Sequence, residues 1–259
     1  MPSLVKTSTS SLPDRLLRTL LPAAFWLAVW WGAALLVDQQ LLIPTPLSVL
    51  RELGELAVTA PFWRSTALSL LRIFLGAAIG VALGTLAAAA THWVPAADWV
   101  LSPAIRVVRA TPVASFIILV LLWVSTGRVP CVITALMVLP VLWENVSAGL
   151  RSADPQLLEL GKAYQFSRWK RLRYLYLPAV RPHFSAGVCN AVGLAWKSGV
   201  AAEVLCLPKA AIGTQVYYAK LYLETESLFA WTAVIVTVSV IFERLFLRLV
   251  DAAVRKAGS

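Results

Sequence analysis

Six apolar stretches, each about as long as a helix needs to cross a lipid bilayer, constrain this chain more than any other feature. A hydrocarbon core about 30 Å thick is spanned by about 20 apolar residues in an α-helix. The stretches cover approximately residues 16–37, 66–90, 104–124, 129–150, 178–205 and 229–250. This pattern predicts an all-α membrane protein of about six transmembrane helices, with a short N-terminal tail (residues 1–15) before one transmembrane domain (residues 16–259).

The composition argues against a soluble protein. Hydrophobic residues make up 59% of the chain and charged residues only 14%, whereas soluble domains carry about a quarter charged residues. The net charge of +10 would suggest a nucleic-acid partner if it formed one basic face, but the charges lie between the apolar stretches. The three cysteines and two histidines have no metal-ligand spacing, so we expect no metal site.

Glycine and proline residues predict how some of these helices pack and bend. Gly76, Gly80 and Gly84 recur every four residues in the second stretch. Small residues at that spacing let helix backbones approach closely in a bilayer, so we expect this face to pack against another helix. Pro112 and Pro140 lie within the third and fourth stretches. Because proline removes a backbone hydrogen bond, we expect both helices to be kinked.

Lysine and arginine residues near the helix ends predict the orientation, because positively charged loops remain in the cytoplasm. With a cytoplasmic N-terminus, the cytoplasmic segments hold Lys6, Arg15, Arg18, Arg151, Lys162, Arg168, Lys170, Arg171, Arg173, Arg244, Arg248, Arg255 and Lys256. The opposite side holds only Arg51, Arg64, Arg128, Lys209 and Lys220. Both termini are therefore predicted to be cytoplasmic, and residues 151–177 form the longest internal cytoplasmic loop.

This loop carries clear helix signals. Asp154 can cap the free backbone N–H groups of a helix that begins at Pro155, and Ser167 can cap a second short helix. An apolar stripe at i, i+3, i+4 and i+7 consists of Leu157, Leu160, Gly161 and Tyr164. The spacing leaves two interpretations open: an amphipathic linker on the lipid head groups, or a helix that docks into a groove of another protein.

The loop resembles the cytoplasmic signature of the permeases of ATP-binding-cassette (ABC) importers. That signature begins Glu-Ala-Ala, has a glycine some residues later and closes with Leu-Pro. Glu159, Gly161 and Leu177–Pro178 match it. Leu160 replaces the first alanine, and Gln165 occupies the position of the glycine, where a side chain carries a steric cost in the left-handed conformation.

The resemblance extends over most of the chain and is to the branch associated with nitrate, sulfonates and taurine. It includes, in matching order, PTPLSVLRELGELA, RATPVASFIILVLLWVSTG and AWKSGVAAEVL. It implies a type I ABC importer permease (MetI-like) fold in a bacterial inner membrane, with helices wrapped around a translocation pathway. The implied partners are a second permease copy in a homodimer, two cytoplasmic ATPase subunits that bind ATP and Mg²⁺, and an external substrate-binding protein.

In such permeases the first loop helix enters a groove of the ATPase, whose closure moves the permease halves. The resemblance therefore implies ATPase coupling by Leu157, Glu159, Leu160, Gly161 and Tyr164. It also implies that the binding protein docks on the segment 207–228, with Ile212, Gly213 and Tyr217 as candidate contacts. The alternative for this segment is an interfacial helix with aromatic anchors and no docking role.

Motifs of enzymes are absent from the sequence. There is no GxxxxGK[ST] loop for phosphates, no HExxH and no GxSxG. We therefore expect no catalytic residue and no cofactor in this chain. The main alternative is a secondary transporter, although no convincing internal repeat is visible. The resemblance suggests a small organic or inorganic anion of the sulfonate, nitrate or bicarbonate class as substrate, with a vitamin precursor as the alternative.

Ionisable residues inside the predicted spans are candidates for the pathway. Glu144, Lys197 and Glu203 lie well inside the fourth and fifth stretches, where a charge costs about 2.5–3.5 kcal/mol on insertion scales and usually faces a cavity or the protein interior. One interpretation is a structural pair between Lys197 and Glu144. The other is a gate in the translocation pathway, with the candidate residues Trp143, Glu144, Asn145, Trp196, Lys197 and Glu203.

Overall fold

The computed structural model describes residues 12–37, 39 and 41–256, and every regular element among them is a helix. The helices are α1 (Leu12–Val37), α2 (Pro46–Ala57), α3 (Ala60–Trp93), α4 (Pro95–Ala110), α5 (Val113–Val120), α6 (Val129–Arg151), α7 (Pro155–Ala163), α8 (Arg168–Arg171), α9 (Leu177–Cys206), α10 (Ile212–Leu221) and α11 (Thr225–Lys256), with a π-helical turn (Leu172–Tyr176) between α8 and α9. The prediction of an all-α fold is confirmed. The predicted tail, residues 1–15, lies outside the described residues apart from its end, which belongs to α1.

The helices differ in how well they suit a membrane span. In the described part of the chain, α3 and α6 are each long and apolar enough to cross a bilayer, and α4 with α5 would make a third span. Helices α1, α9 and α11 contain 26, 30 and 32 residues, which is sufficient length at about 1.5 Å per residue. Six spans fit this set of helices, and their number stays a prediction.

The third predicted span consists of two helices rather than one kinked helix. Helices α4 and α5 are bent by 109° at the break between them. Pro112 causes the break, because it has no N–H to donate and disfavours helical backbone at the preceding residue. Thr111 accordingly has an extended backbone, with φ −81° and ψ 132°. Pro140 lies inside α6, which continues through it as one helix.

The glycine face of α3 packs against α6, as the spacing predicted. A Cβ atom on Gly80 would stand 2.7 Å from the Cβ of Val138 and 2.8 Å from the carbonyl oxygen of Ala135, closer than real Cβ atoms approach. Gly76 and Gly84 face α6 in the same way. The two backbones therefore approach to a separation that a methyl group would prevent.

Helix α9 joins this pair through glycines of its own. A Cβ on Gly199 would stand 2.9 Å from the hydroxyl of Thr134, and one on Gly187 would stand 2.8 Å from the Cβ of Asn145, both residues of α6. Phe242 of α11 is buried on another side of α9. Helices α3, α6 and α9 thus form the centre of the protein.

Gly80→Ala should destabilise the folded protein by about 1–3 kcal/mol, because neither Val138 nor the α6 backbone can move away without loss of packing. The matched control is Gly193→Ala in α9, where nothing lies within 4 Å of a Cβ position. Alanine has the higher helix propensity at both positions, so only the packing differs. Thermal unfolding in detergent measures the difference, and equal Tm values for the two variants would contradict close packing at Gly80.

Candidate functional site

The loop at residues 151–177 is a helix-turn-helix, as predicted. The carboxylate of Asp154 accepts a hydrogen bond from the N–H of Gln156 (2.8 Å) and caps α7. The hydroxyl of Ser167 accepts one from the N–H of Lys170 (3.3 Å) and caps α8. Helix α8 passes through the π turn directly into α9. The second loop helix and α9 are therefore one continuous helical element.

The turn between α7 and α8 has the geometry that glycine usually provides. Gln165 has a φ of 51°, the left-handed conformation, although its side chain gave reason to expect a differently shaped turn. Its N–H donates to the carbonyl of Lys162 (2.9 Å), and the N–H of Phe166 donates to the carbonyl of Gly161 (2.8 Å), which is the Schellman arrangement. Gln165 thus adopts the conformation of the usual glycine at a steric cost of about 1–2 kcal/mol.

The candidate coupling residues of α7 divide into an exposed group and one buried residue. The exposed ones are Glu159, Leu157 (49% exposed), Leu160 (53%) and Tyr164 (72%). Gly161 is buried, and a Cβ there would stand 2.9 Å from a methyl carbon of Leu175 in the π turn. Gly161 therefore lets α7 pack within the loop. We call Leu157, Leu160 and Tyr164 the α7 surface.

A buried polar network fixes the start of α10. Glu203, near the end of α9, is 0% exposed. Its carboxylate accepts hydrogen bonds from the hydroxyl of Ser69 (2.8 Å) and the N–H of Gly213 (3.2 Å). The oxygen of Ser69 in turn accepts one from the N–H of Ile212 (2.9 Å). Side chains of α3 and α9 thus hold two N–H groups at the first turn of α10.

Arg72 completes this network, and it was not among the residues predicted from the sequence. Its guanidinium lies 3.7 Å from Oε1 of Glu203 and donates to the carbonyls of Lys209 and Ala210 (3.0 Å each). Arg72 lies within the second apolar stretch, so the same signal that marked the other ionisable residues was available. We call Ser69, Arg72 and Glu203 the α10 anchor.

The α10 anchor changes the expected contact surface of segment 207–228. Ile212 and Gly213 are buried, and a Cβ on Gly213 would stand 2.6 Å from the Cβ of Glu203. Neither residue presents a surface to a partner, which corrects that expectation. Tyr217 is half-buried. The exposed apolar and aromatic residues of the segment lie further along: Tyr218, Leu221, Tyr222 and Leu223.

The two charged candidates in the middle of α6 and α9 are exposed but do not pair with each other. Glu144 forms an ion pair with Arg109 of α4, so the structural pair between Glu144 and Lys197 is not the arrangement found. An exposed pair of this kind contributes little to stability, because water screens the two charges. Lys197 is exposed between buried neighbours on α9, and no carboxylate of the described residues lies within 4.0 Å of it.

The remaining candidates of the predicted pathway are buried or half-buried, and each is held by contacts within the protein. The indole N–H of Trp143 donates to the hydroxyl of Thr91 in α3 (3.1 Å), and the Asn145 amide donates to the backbone of its own helix (2.8 Å). Trp196 is 3% exposed, with its ring 5.6 Å from that of Phe242. Glu203 is sealed in the α10 anchor. The exposed members of the predicted set are therefore Glu144 and Lys197.

Residues 80–256 match the family model of the binding-protein-dependent transport system inner membrane component. This match covers more than half of the chain. The chain belongs to this family of permeases. The permease is 27% identical over 228 residues to the taurine transport system permease protein TauC of Escherichia coli K12, a match that covers 85% of this chain and 82% of that protein.

Another relative and a solved structure agree with this family. The permease is 24% identical over 239 residues to the putative aliphatic sulfonates transport permease protein SsuC of Bacillus subtilis 168, covering 92% of this chain and 86% of that protein. The crystal structure of an amino acid ABC transporter has the same fold, with a TM-score of 0.61 and 19% identity over 79% of this chain and 97% of that chain. The predicted family and fold are confirmed, and these relatives are transport permeases rather than enzymes.

Glu203→Gln should loosen the start of α10 in the permease, because the amide leaves the half-buried guanidinium of Arg72 without its counter-charge. Removing one partner of a buried pair costs about 3–5 kcal/mol; the two carbonyl partners that Arg72 retains reduce this, and we expect at least about tenfold faster exchange. Hydrogen exchange of peptides containing Ile212 and Gly213 measures the effect. The control is Glu224→Gln, an exposed carboxylate, which should leave exchange unchanged. Unchanged protection in Glu203→Gln would show that other contacts hold α10.

Proposed function

We propose that this permease forms the translocation pathway for a small anion delivered by an external binding protein, and that separate ATPase subunits drive it through the loop at residues 151–177. The observation that carries the proposal is the α7 surface. Three large apolar side chains stand exposed on a capped helix, which packs against Leu175 of the π turn through Gly161. An apolar stripe on a short, fixed helix suits a groove in a partner protein.

The continuity of the loop with α9 supports a mechanical role. Helix α8, the π turn and α9 follow one another without a break. A displacement of the loop by closing ATPase subunits would therefore move α9, whose far end carries Glu203 and the α10 anchor. We infer that the loop on one side of the membrane and α10 on the other respond together.

The orientation follows from the charges. Both termini and the loop are cytoplasmic in the proposed arrangement, because most Lys and Arg residues near the helix ends then lie inside. Gln156 is exposed. In a background without the native cysteines, Gln156→Cys should not react with an impermeant thiol reagent added from outside. Reaction of this cysteine with the reagent from outside would show that the orientation is the reverse of the proposed one.

The proposed partners are a second permease copy, two ATPase subunits and a binding protein. The binding protein would meet the exposed end of α10, at Tyr217, Tyr218 and Tyr222, rather than the buried Ile212 and Gly213. The substrate proposed is a sulfonate or a related small anion. Support comes from the relatives named for taurine and aliphatic sulfonates and from the exposed cationic side chains of Arg106, Arg109 and Lys197.

Leu160→Glu should detach the ATPase, because it removes an apolar anchor and would bury a charge in the partner's groove. Loss of a buried leucine costs about 1.5–3 kcal/mol, and the charge adds to this, so we expect at least about tenfold less ATPase to copurify. Lys162→Gln is the matched control, since it changes the net charge by the same amount at an exposed position on the opposite side of α7. Wild-type ATPase attachment and uptake in Leu160→Glu would remove the α7 surface from the mechanism.

Gly161→Arg is a less specific test, because it would displace Leu175 within the loop.

Lys197→Met should change the rate or the substrate range of transport while the complex and its ATPase activity remain. A lysine at this depth in contact with lipid would cost about 2.5–3.5 kcal/mol, so its exposed side chain favours a water-filled pathway. Lys220→Met controls for the loss of one positive charge, because Lys220 is exposed on α10. Uptake kinetics with several sulfonates measure the effect. Failure of Lys197→Met to assemble would assign the lysine a structural role.

A further inference from the structure

A cavity of about 540 Å³ opens where the end of α3 meets the second loop helix. It is lined by Trp93, Arg168, Arg171, Leu172 and Tyr176. The lining contains two guanidinium groups and no carboxylate. None of its lining residues belongs to the α7 surface.

The walls of the cavity combine aromatic rings with two arginine side chains. The rings of Trp93 and Tyr176 meet edge to face with centroids 5.8 Å apart, and His92 packs on Tyr176 at 5.6 Å. The Nε atom of Arg171 is buried and has no hydrogen-bond partner among the described residues. An arginine fork beside an apolar wall suits a phosphate group attached to an apolar body.

The position of the cavity indicates which apolar molecule would carry the phosphate. Trp93 ends the long apolar helix α3 and is 48% exposed. Tryptophan and tyrosine side chains favour the level of the lipid head groups, and basic pockets at the ends of spans on the cytoplasmic side bind anionic head groups. We propose that this cavity binds the phosphate of an anionic phospholipid in the leaflet on the loop side, with Arg168 and Arg171 as its ligands.

A lipid bound there would join α3 to the loop at the point where α8 passes into α9. The loop would then be held on one side by the membrane and on the other by its partner. Transport by the complete complex should consequently depend on anionic lipid. The leaflet assignment rests on the proposed orientation, whereas the binding site itself does not.

Native mass spectrometry of the complete complex with its ATPase, taken from bilayers of phosphatidylcholine with increasing phosphatidylglycerol, tests the proposal. Each of Arg168→Gln and Arg171→Gln should weaken retention of phosphatidylglycerol about fivefold, and the double variant about thirtyfold. Arg168→Lys, which keeps the charge, should weaken it less than Arg168→Gln. Lys170→Gln is the control, because Lys170 is exposed on the same helix and does not line the cavity.

The outcomes separate the alternatives. Equal losses in Lys170→Gln and in the arginine variants would overturn the proposal in favour of diffuse attraction to the membrane. Displacement of the lipid by inorganic phosphate at similar concentration would assign the site to a free anion and overturn the lipid. Loss of the ATPase from the double variant with lipid retention unchanged would make this face part of the ATPase contact, again against the proposal. Because Arg168 is exposed, its single variants test the site even if substitution of Arg171 disturbs folding.

Discussion

Glycines bring α3, α6 and α9 to separations that one additional methyl group would prevent: a Cβ on Gly80 or Gly187 would stand under 3.0 Å from atoms of α6. In lipid there is little hydrophobic force between helices, so close van der Waals packing of this kind is the main source of helix association. The three helices consequently form a unit in which no member can shift along another without a steric clash. The functional segments attach to the ends of this unit.

Helix α9 connects those segments. One end continues through the π turn into the loop that presents the α7 surface, and the other holds Glu203 of the α10 anchor. Buried polar groups with several partners fix geometry more strictly than apolar contacts do. The anchor therefore makes the position of α10 depend on α9. The continuous helix through the π turn makes the position of α9 depend on the loop. In the proposed function, movement of the loop by the ATPase would reach α10 by this route.

The features that local sequence determines were predicted correctly. Asp154 and Ser167 cap the loop helices, because capping depends on neighbours in sequence. The glycine spacing of α3 marks its packing face, because only small residues allow so close an approach, whichever helix is the partner. The turn at Gln165 is different: the side chain gave reason to expect another shape, yet the residue adopts the left-handed conformation.

Features that depend on distant parts of the chain were not predicted. The partner of Glu144 is Arg109 on another helix, and Arg72 meets the carbonyls of Lys209 and Ala210 across more than a hundred residues. Helical spacing placed Gly161 on the stripe of α7, but packing against Leu175 buries it. Ile212 and Gly213 are likewise buried by the anchor. Periodicity identifies a face of a helix and does not show which neighbour covers it.

Uptake by proteoliposomes tests the central claim most directly. The permease is reconstituted with its ATPase and binding protein, and the initial rate of sulfonate uptake is measured with ATP on the side that labelling of Gln156→Cys identifies as the loop side. The account predicts uptake that requires both ATP on that side and the binding protein, and that stops when the ATPase is omitted. Uptake driven by an ion gradient in the absence of the ATPase would contradict it and identify a secondary transporter.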